Sequence, residues 1–160
     1  MGSPATFNNE DVFSFLNALI RKYWYSQNFV LYLNNMKVNG YIKKAKEFFE
    51  LAKKEIEESK KNGNPNIAVD GSAKAWLAVD LATKALFKKK GVEKIPKTYR
   101  GMLYLLQKFG TKELRKNFDH LRDVFHIDGY YEQIIDYIRF KEAFEDLEDY
   151  IKTIEKLWKI

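Results

Sequence analysis

Apolar side chains recur three or four residues apart along nearly the whole chain, and no stretch alternates with a period of two. A chain patterned in this way buries its apolar faces only by packing helix on helix, which predicts an all-α bundle of about five to six helices. One stripe is narrower than the rest. Gly71, Ala75, Ala78, Ala82 and Ala85 follow one another in steps of four and three, flanked by Leu77, Val79, Leu81 and Leu86. Small residues let neighbouring helices approach closely, so the stripe predicts the central helix of the bundle; a cofactor box is the competing reading.

The other stripes supply the surrounding helices. Tyr41, Ala45, Phe48, Ala52 and Ile56 form an amphipathic face, after a break at Asn34, Asn35, Asn39 and Gly40. Asn64 followed by Pro65 is a cap for the central helix, and Asp70 is a second candidate. Pro96 introduces a short helix bearing Tyr99, Met102, Leu103, Leu106 and Phe109, closed by Gly110. Thr111 caps the next helix, whose Leu114, Phe118, Leu121 and Phe125 face inward. Asp128 and Gly129 read as a turn or cap before a long final helix over 129–158, with Tyr137, Phe140, Phe144, Leu147, Ile151, Ile154 and Trp158 on one face. At the other end, an aromatic helix is expected over 10–33, with Phe13, Phe15, Tyr23, Trp24, Tyr25, Phe29 and Tyr32 too many for one face. Some of these rings are expected against a second subunit or a partner protein. The 160 residues contain no repeat or linker and read as one domain.

Composition narrows the chemistry. There is no cysteine, which excludes disulfides, zinc knuckles and a thiol nucleophile. Tyr23 to Met36 is the longest uncharged stretch, shorter than the ~20 apolar residues of a spanning helix. Glu10 and Asp11 stand where a signal peptide carries basic residues, so a cytoplasmic protein without a membrane span is expected. The net charge of +6 is concentrated in the middle: residues 37–100 carry 16 basic and 8 acidic side chains, a balance of +8. Such asymmetry attracts nucleic acid, because clustered Lys and Arg release counterions from phosphates; the competing reading has the lysines solvating helix faces beside glutamates.

Only His120 and His126 are available as imidazoles. Asp123 and His126 have half the spacing of a bundle di-iron site, but the chain has no second carboxylate-x-x-His, so no metal or other cofactor is expected. Glycine-rich phosphate loops and the Gly-x-Ser-x-Gly elbow are also absent. A polar stripe remains: Arg115, Asp119, Arg122 and His126, in steps of four, three and four, which share one face of a regular α-helix. It reads either as a solvent-facing ion ladder or as an anion site, where the guanidinium groups hold a phosphate and His126 exchanges a proton near neutral pH. Tyr130 and Tyr131 follow and could stack on a base, or belong to the core.

The segment Gly71 to Phe87, followed by Lys88-Lys89-Lys90-Gly91 and later by His126-Ile127-Asp128-Gly129-Tyr130-Tyr131, resembles the archaeal PaREP family over roughly residues 41–140. That family is similar to the HEPN domains, compact helical bundles that bind nucleotides or nucleic acids and commonly dimerise. The resemblance implies a homodimer that binds RNA or a nucleotide. Many HEPN proteins are metal-independent ribonucleases with an arginine and a histidine separated by four to six residues at the dimer interface. Arg115 and His120 have that spacing, and the His-x-x-Gly-Tyr-Tyr segment favours His126. The resemblance thus leaves three readings open: an anion-binding module, a ribonuclease using Arg115, Arg122, His120 or His126, and a protein-interaction module.

Overall fold

The computed structural model describes residues 38–159, with side chains described from 39 to 157; the expected aromatic helix over 10–33 and the side chain of Trp158 lie outside the described residues. Helix α1, Val38–Asn62, buries the whole predicted stripe of Tyr41, Ala45, Phe48, Ala52 and Ile56. It starts earlier than its sequence suggests, so Asn39 and Gly40 belong to its first turn rather than to a break. First-turn N–H groups have no intrahelical partner in any case, and the weak propensity of Asn and Gly is offset by burial of Tyr41 and Ile42. Gly63, at φ 65°, ends the helix in the left-handed conformation that glycine adopts at low cost.

Helix α2, Pro65–Lys89, opens as expected: Pro65 occupies the first position and the Asn64 side chain accepts from the N–H of Asn66 at 3.1 Å. Asp70 lies within the helix and is not its cap. All five members of the small stripe are buried. A Cβ on Gly71 would stand 3.0 Å from Ile56 Cδ1 and 3.2 Å from the Ala52 carbonyl oxygen, so the backbones of α1 and α2 meet at the position where the side chain is missing. This is the most extensive helix pair among the described residues.

Helix α3, Tyr99–Phe109, is capped by Thr98, whose hydroxyl accepts from the Gly101 N–H at 3.1 Å. It buries only Met102 and Leu106. Pro96 lies against Gly101, where a Cβ would fall 2.4 Å from the proline's own. After Gly110, Thr111 caps α4, Lys112–Leu121, by accepting from the Leu114 N–H at 3.0 Å, and Leu114, Phe118 and Leu121 point inward.

The chain then departs from expectation. Arg122–Tyr131 continues α4 as a π-helix, with wider i→i+5 turns, and passes through Asp128 and Gly129 without a turn. Tertiary packing explains why. Gly129 lies flat on α2, where a Cβ would stand 2.5 Å from Ser72 Oγ and 2.8 Å from Ser72 Cβ, and the Asp128 carboxylate pairs with the Arg139 guanidinium. The reversal falls at 132–136 instead, where Gln133 takes φ 54°. Asp136 Oδ1 accepts the N–H groups of Ile138 and Arg139, both at 3.0 Å, and α5 runs Tyr137–Lys159 rather than from 129. Its Phe140, Phe144, Leu147, Ile151 and Ile154 are buried as the spacing predicts. The described residues therefore form an all-α bundle of five α-helices and one π-helical segment, within one compact unit and without a strand. No helix among them is long and apolar enough to cross a membrane.

The contact between Gly129 and Ser72 gives a direct test. Gly129→Ala should destabilise the fold by about 1 to 3 kcal/mol through overpacking, and Ser72→Gly in the same chain should recover part of that loss. Chemical denaturation of the two single variants and the double variant measures the coupling. Strict additivity would mean that the two residues do not press on one another.

Candidate anion-binding face

Helices α3 and α4 turn about Gly110 and Thr111 and run back along one another, so residues at similar distances from that corner meet. Gln107 meets Arg115: the guanidinium Nη1 donates to Gln107 Oε1 at 3.0 Å. One helical stretch further from the corner, the Tyr99 hydroxyl donates to the Asp119 carboxylate. The Arg122 guanidinium covers the Tyr99 ring, 4.1 Å from its centroid, and lies 3.6 Å from Asp123. Burial, followed by the hydrogen bond to a negative partner, pushes the Tyr99 phenol up to about 12, so it stays a donor.

Three members of the predicted stripe, Arg115, Asp119 and Arg122, thus turn to α3. Among the described residues no ion pair joins Arg115 to Asp119 or Asp119 to Arg122. The solvent-facing ladder is replaced by a clasp between two helices. Gln107 and Tyr99 were missed as site residues because Tyr99 falls on the apolar period of α3. Counting outward from the Gly110-Thr111 corner pairs it with Arg122, which covers its ring, and Asp119 lies one turn nearer the corner.

His126 follows a different course, because the π-helix shifts the phase of every residue after Leu121. Its ring stacks on Trp76 of α2, with centroids 5.0 Å apart and planes 25° from parallel. Tyr130 lies parallel at 6.4 Å, and the edge of Tyr131 approaches to 4.8 Å. Trp76 also touches Phe118 at 5.3 Å, and Phe118 stacks with Tyr99 at 6.3 Å. A continuous row of rings therefore runs from Tyr99 to Tyr131. Burial in this row, with the Arg122 charge nearby, lowers the His126 pKa to about 4, against a smaller opposing pull from Asp80. The imidazole is neutral near pH 7. Desolvation therefore works against the proton exchange near neutrality that the sequence suggests for His126.

His120 is exposed on the other side of α4, with Nε2 3.4 Å from Asp146 Oδ2 of α5. Arg115 and His120, suggested by their spacing, thus face different neighbouring helices within the chain. Tyr130 is half-buried and Tyr131 exposed. The described residues contain no group of three His, Asp or Glu side chains able to hold a metal ion. The chain matches no family model, no curated protein and no solved structure.

The depressed His126 pKa makes stability depend on pH in one window. Between pH of about 6.5 and about 4 the unfolded chain holds a proton on this imidazole that the folded chain does not, so acidification through that window favours unfolding. His126→Phe keeps a ring on Trp76 and removes the proton. Its melting temperature should fall less steeply over the same window than that of the parent, and identical slopes would show that His126 is not buried as a neutral ring.

Proposed function

We propose that this chain is a HEPN-like module that binds an anionic ligand, nucleic acid or nucleotide, as a homodimer, and that the binding surface is α3 with the segment leading into it. The observation that carries the reading is the distribution of charge. From Lys94 to Lys112 the chain has five basic side chains, Lys94, Lys97, Arg100, Lys108 and Lys112, and no acidic one. All five are exposed. Four lysines elsewhere in the basic middle of the chain are paired with carboxylates: Lys44 with Glu47, Lys46 with Glu155, Lys74 with Glu55 and Lys84 with Asp80. The bland reading of the charge, lysines solvated beside glutamates, describes these four; α3 has no carboxylate of its own to play that part.

The clasp adds to this surface. Gln107 draws the Arg115 guanidinium toward α3, and Arg122 is held on Tyr99. Positioned guanidinium groups are the usual recognition elements for phosphate. The resemblance to HEPN domains supports the same ligand class and the dimer. A neutral, ring-packed His126 favours binding over metal-free cleavage, which needs an acid as well as a base. Within one subunit Arg115 and His120 diverge, so a ribonuclease would have to pair them across two subunits.

Affinity for single-stranded RNA, followed by fluorescence anisotropy, should fall steeply with salt, with a logarithmic slope of about −0.7 for each phosphate neutralised. Replacing Lys97 and Arg100 by Glu should reduce that slope, while Lys44→Glu, at a residue already paired with Glu47, should change it little. No binding at low salt, or binding indifferent to salt, overturns the proposal. Sedimentation of the full chain across concentrations tests the dimer.

A further inference from the structure

We infer that Tyr104 is a stacking platform for an unpaired base, and that the outer face of α3, Arg100, Tyr104 and Lys108, makes the ligand a single-stranded nucleic acid. The inference rests on the anion-binding reading above and narrows its ligand class. Tyr104 is 66% exposed, the most exposed aromatic side chain among the described residues. It sits midway on a helix that carries no carboxylate. Arg100 and Lys108 stand four residues to either side, each about 6 Å along the helix axis, so the three side chains fall within one narrow arc. Gln107, on the same arc, holds Arg115 beside it.

The chemistry of this arrangement is specific. A flat ring between cations matches a strand whose bases are free to stack and whose phosphates run past on either side. In a duplex the bases are already stacked on one another, so the ring would gain nothing and only the charges would count. The surface is complementary in charge to nucleic acid, and α3 is held from behind by Met102, Leu106 and the bond from Tyr99 to Asp119, which leaves its outer face available.

The full chain can be tested with short fluorescent oligouridylate, the corresponding RNA duplex, inorganic polyphosphate as an anion without bases, and phosphatidylserine vesicles. The parent should prefer oligouridylate to the duplex. Tyr104→Ala should weaken oligouridylate binding about tenfold, the usual scale for losing one stacked base, and leave polyphosphate binding unchanged. Tyr104→Phe should bind as the parent does, since it keeps the ring. If Tyr104→Ala leaves oligouridylate affinity intact while Lys97→Glu together with Arg100→Glu abolishes it, the platform is wrong and the anion-binding reading stands. If neither oligouridylate nor polyphosphate binds at low salt, the anion-binding reading fails and the platform with it. Tyr104-dependent binding to vesicles without binding to oligouridylate would assign the face to a membrane surface and overturn the inference.

Discussion

Helix α2 can be central because one stripe of its surface is made of small side chains, and the rest of the described fold depends on the resulting close approaches. Gly71 lets α1 come within contact of the α2 backbone, and Ser72 meets Gly129 of the π-helix on another side. Larger residues at either place would push the neighbouring helix outward. Close approach also brings polar groups on α2 into the interior, where each must find a partner. Ser72 donates to the Ala68 carbonyl, and Thr83 donates to the Val79 carbonyl while sharing a hydrogen bond with the Tyr150 hydroxyl of α5. Lys74, only 2% exposed, pairs with Glu55 of α1. Burial raises the Glu55 pKa despite that partner, and its Oε2 has no hydrogen bond, so desolvation offsets much of what the pair contributes to stability.

The fold was legible wherever local pattern and tertiary packing agree. The stripes of α1, α2, α4 and α5 appear as their spacing predicts, and Asn64 and Thr111 cap the helices they precede. Legibility ends where packing outweighs a local signal. Asp128-Gly129 has the composition of a turn, yet Gly129 serves a helix contact with Ser72, and Asp128 is held by Arg139. Nothing in the spacing of residues 122–131 distinguishes a π-helix from an α-helix, because the wider turn is imposed by what lies opposite. The same holds for Asn39 and Gly40, poor helix formers carried along by Tyr41 and Ile42.

Arg115, Asp119 and Arg122 were legible in the sequence as a polar stripe, but their partners Gln107 and Tyr99 and the geometry were not. Spacing brought Arg115, Asp119, Arg122 and His126 onto one face, but that inference assumes an unbroken α-helix. The π-helix divides them: the first three engage α3, and His126 joins the ring stack on Trp76. What each side chain does is then decided by its neighbour across the helix pair. Tyr99 converts Asp119 into an acceptor and Arg122 into a stacked cation, and Trp76 converts a titrating histidine into a neutral ring. These partners are distant in sequence, so periodicity within α4 carries no trace of them.

The clasp also accounts for the charge pattern of α3. A short helix with two buried side chains is weakly anchored by its core, and five neighbouring cations without carboxylates add repulsion. An ordinary surface helix offsets such repulsion with its own glutamates, as α1 does with Glu47 beside Lys44. In α3 the anchoring carboxylate is supplied from outside, by Asp119 acting on an uncharged phenol, and the second link runs from Arg115 to an uncharged amide. Neither link uses a charge of α3 itself. The helix is thus anchored without drawing on Arg100 or Lys108, both of which stay exposed, so that anchoring and charge are separated on it.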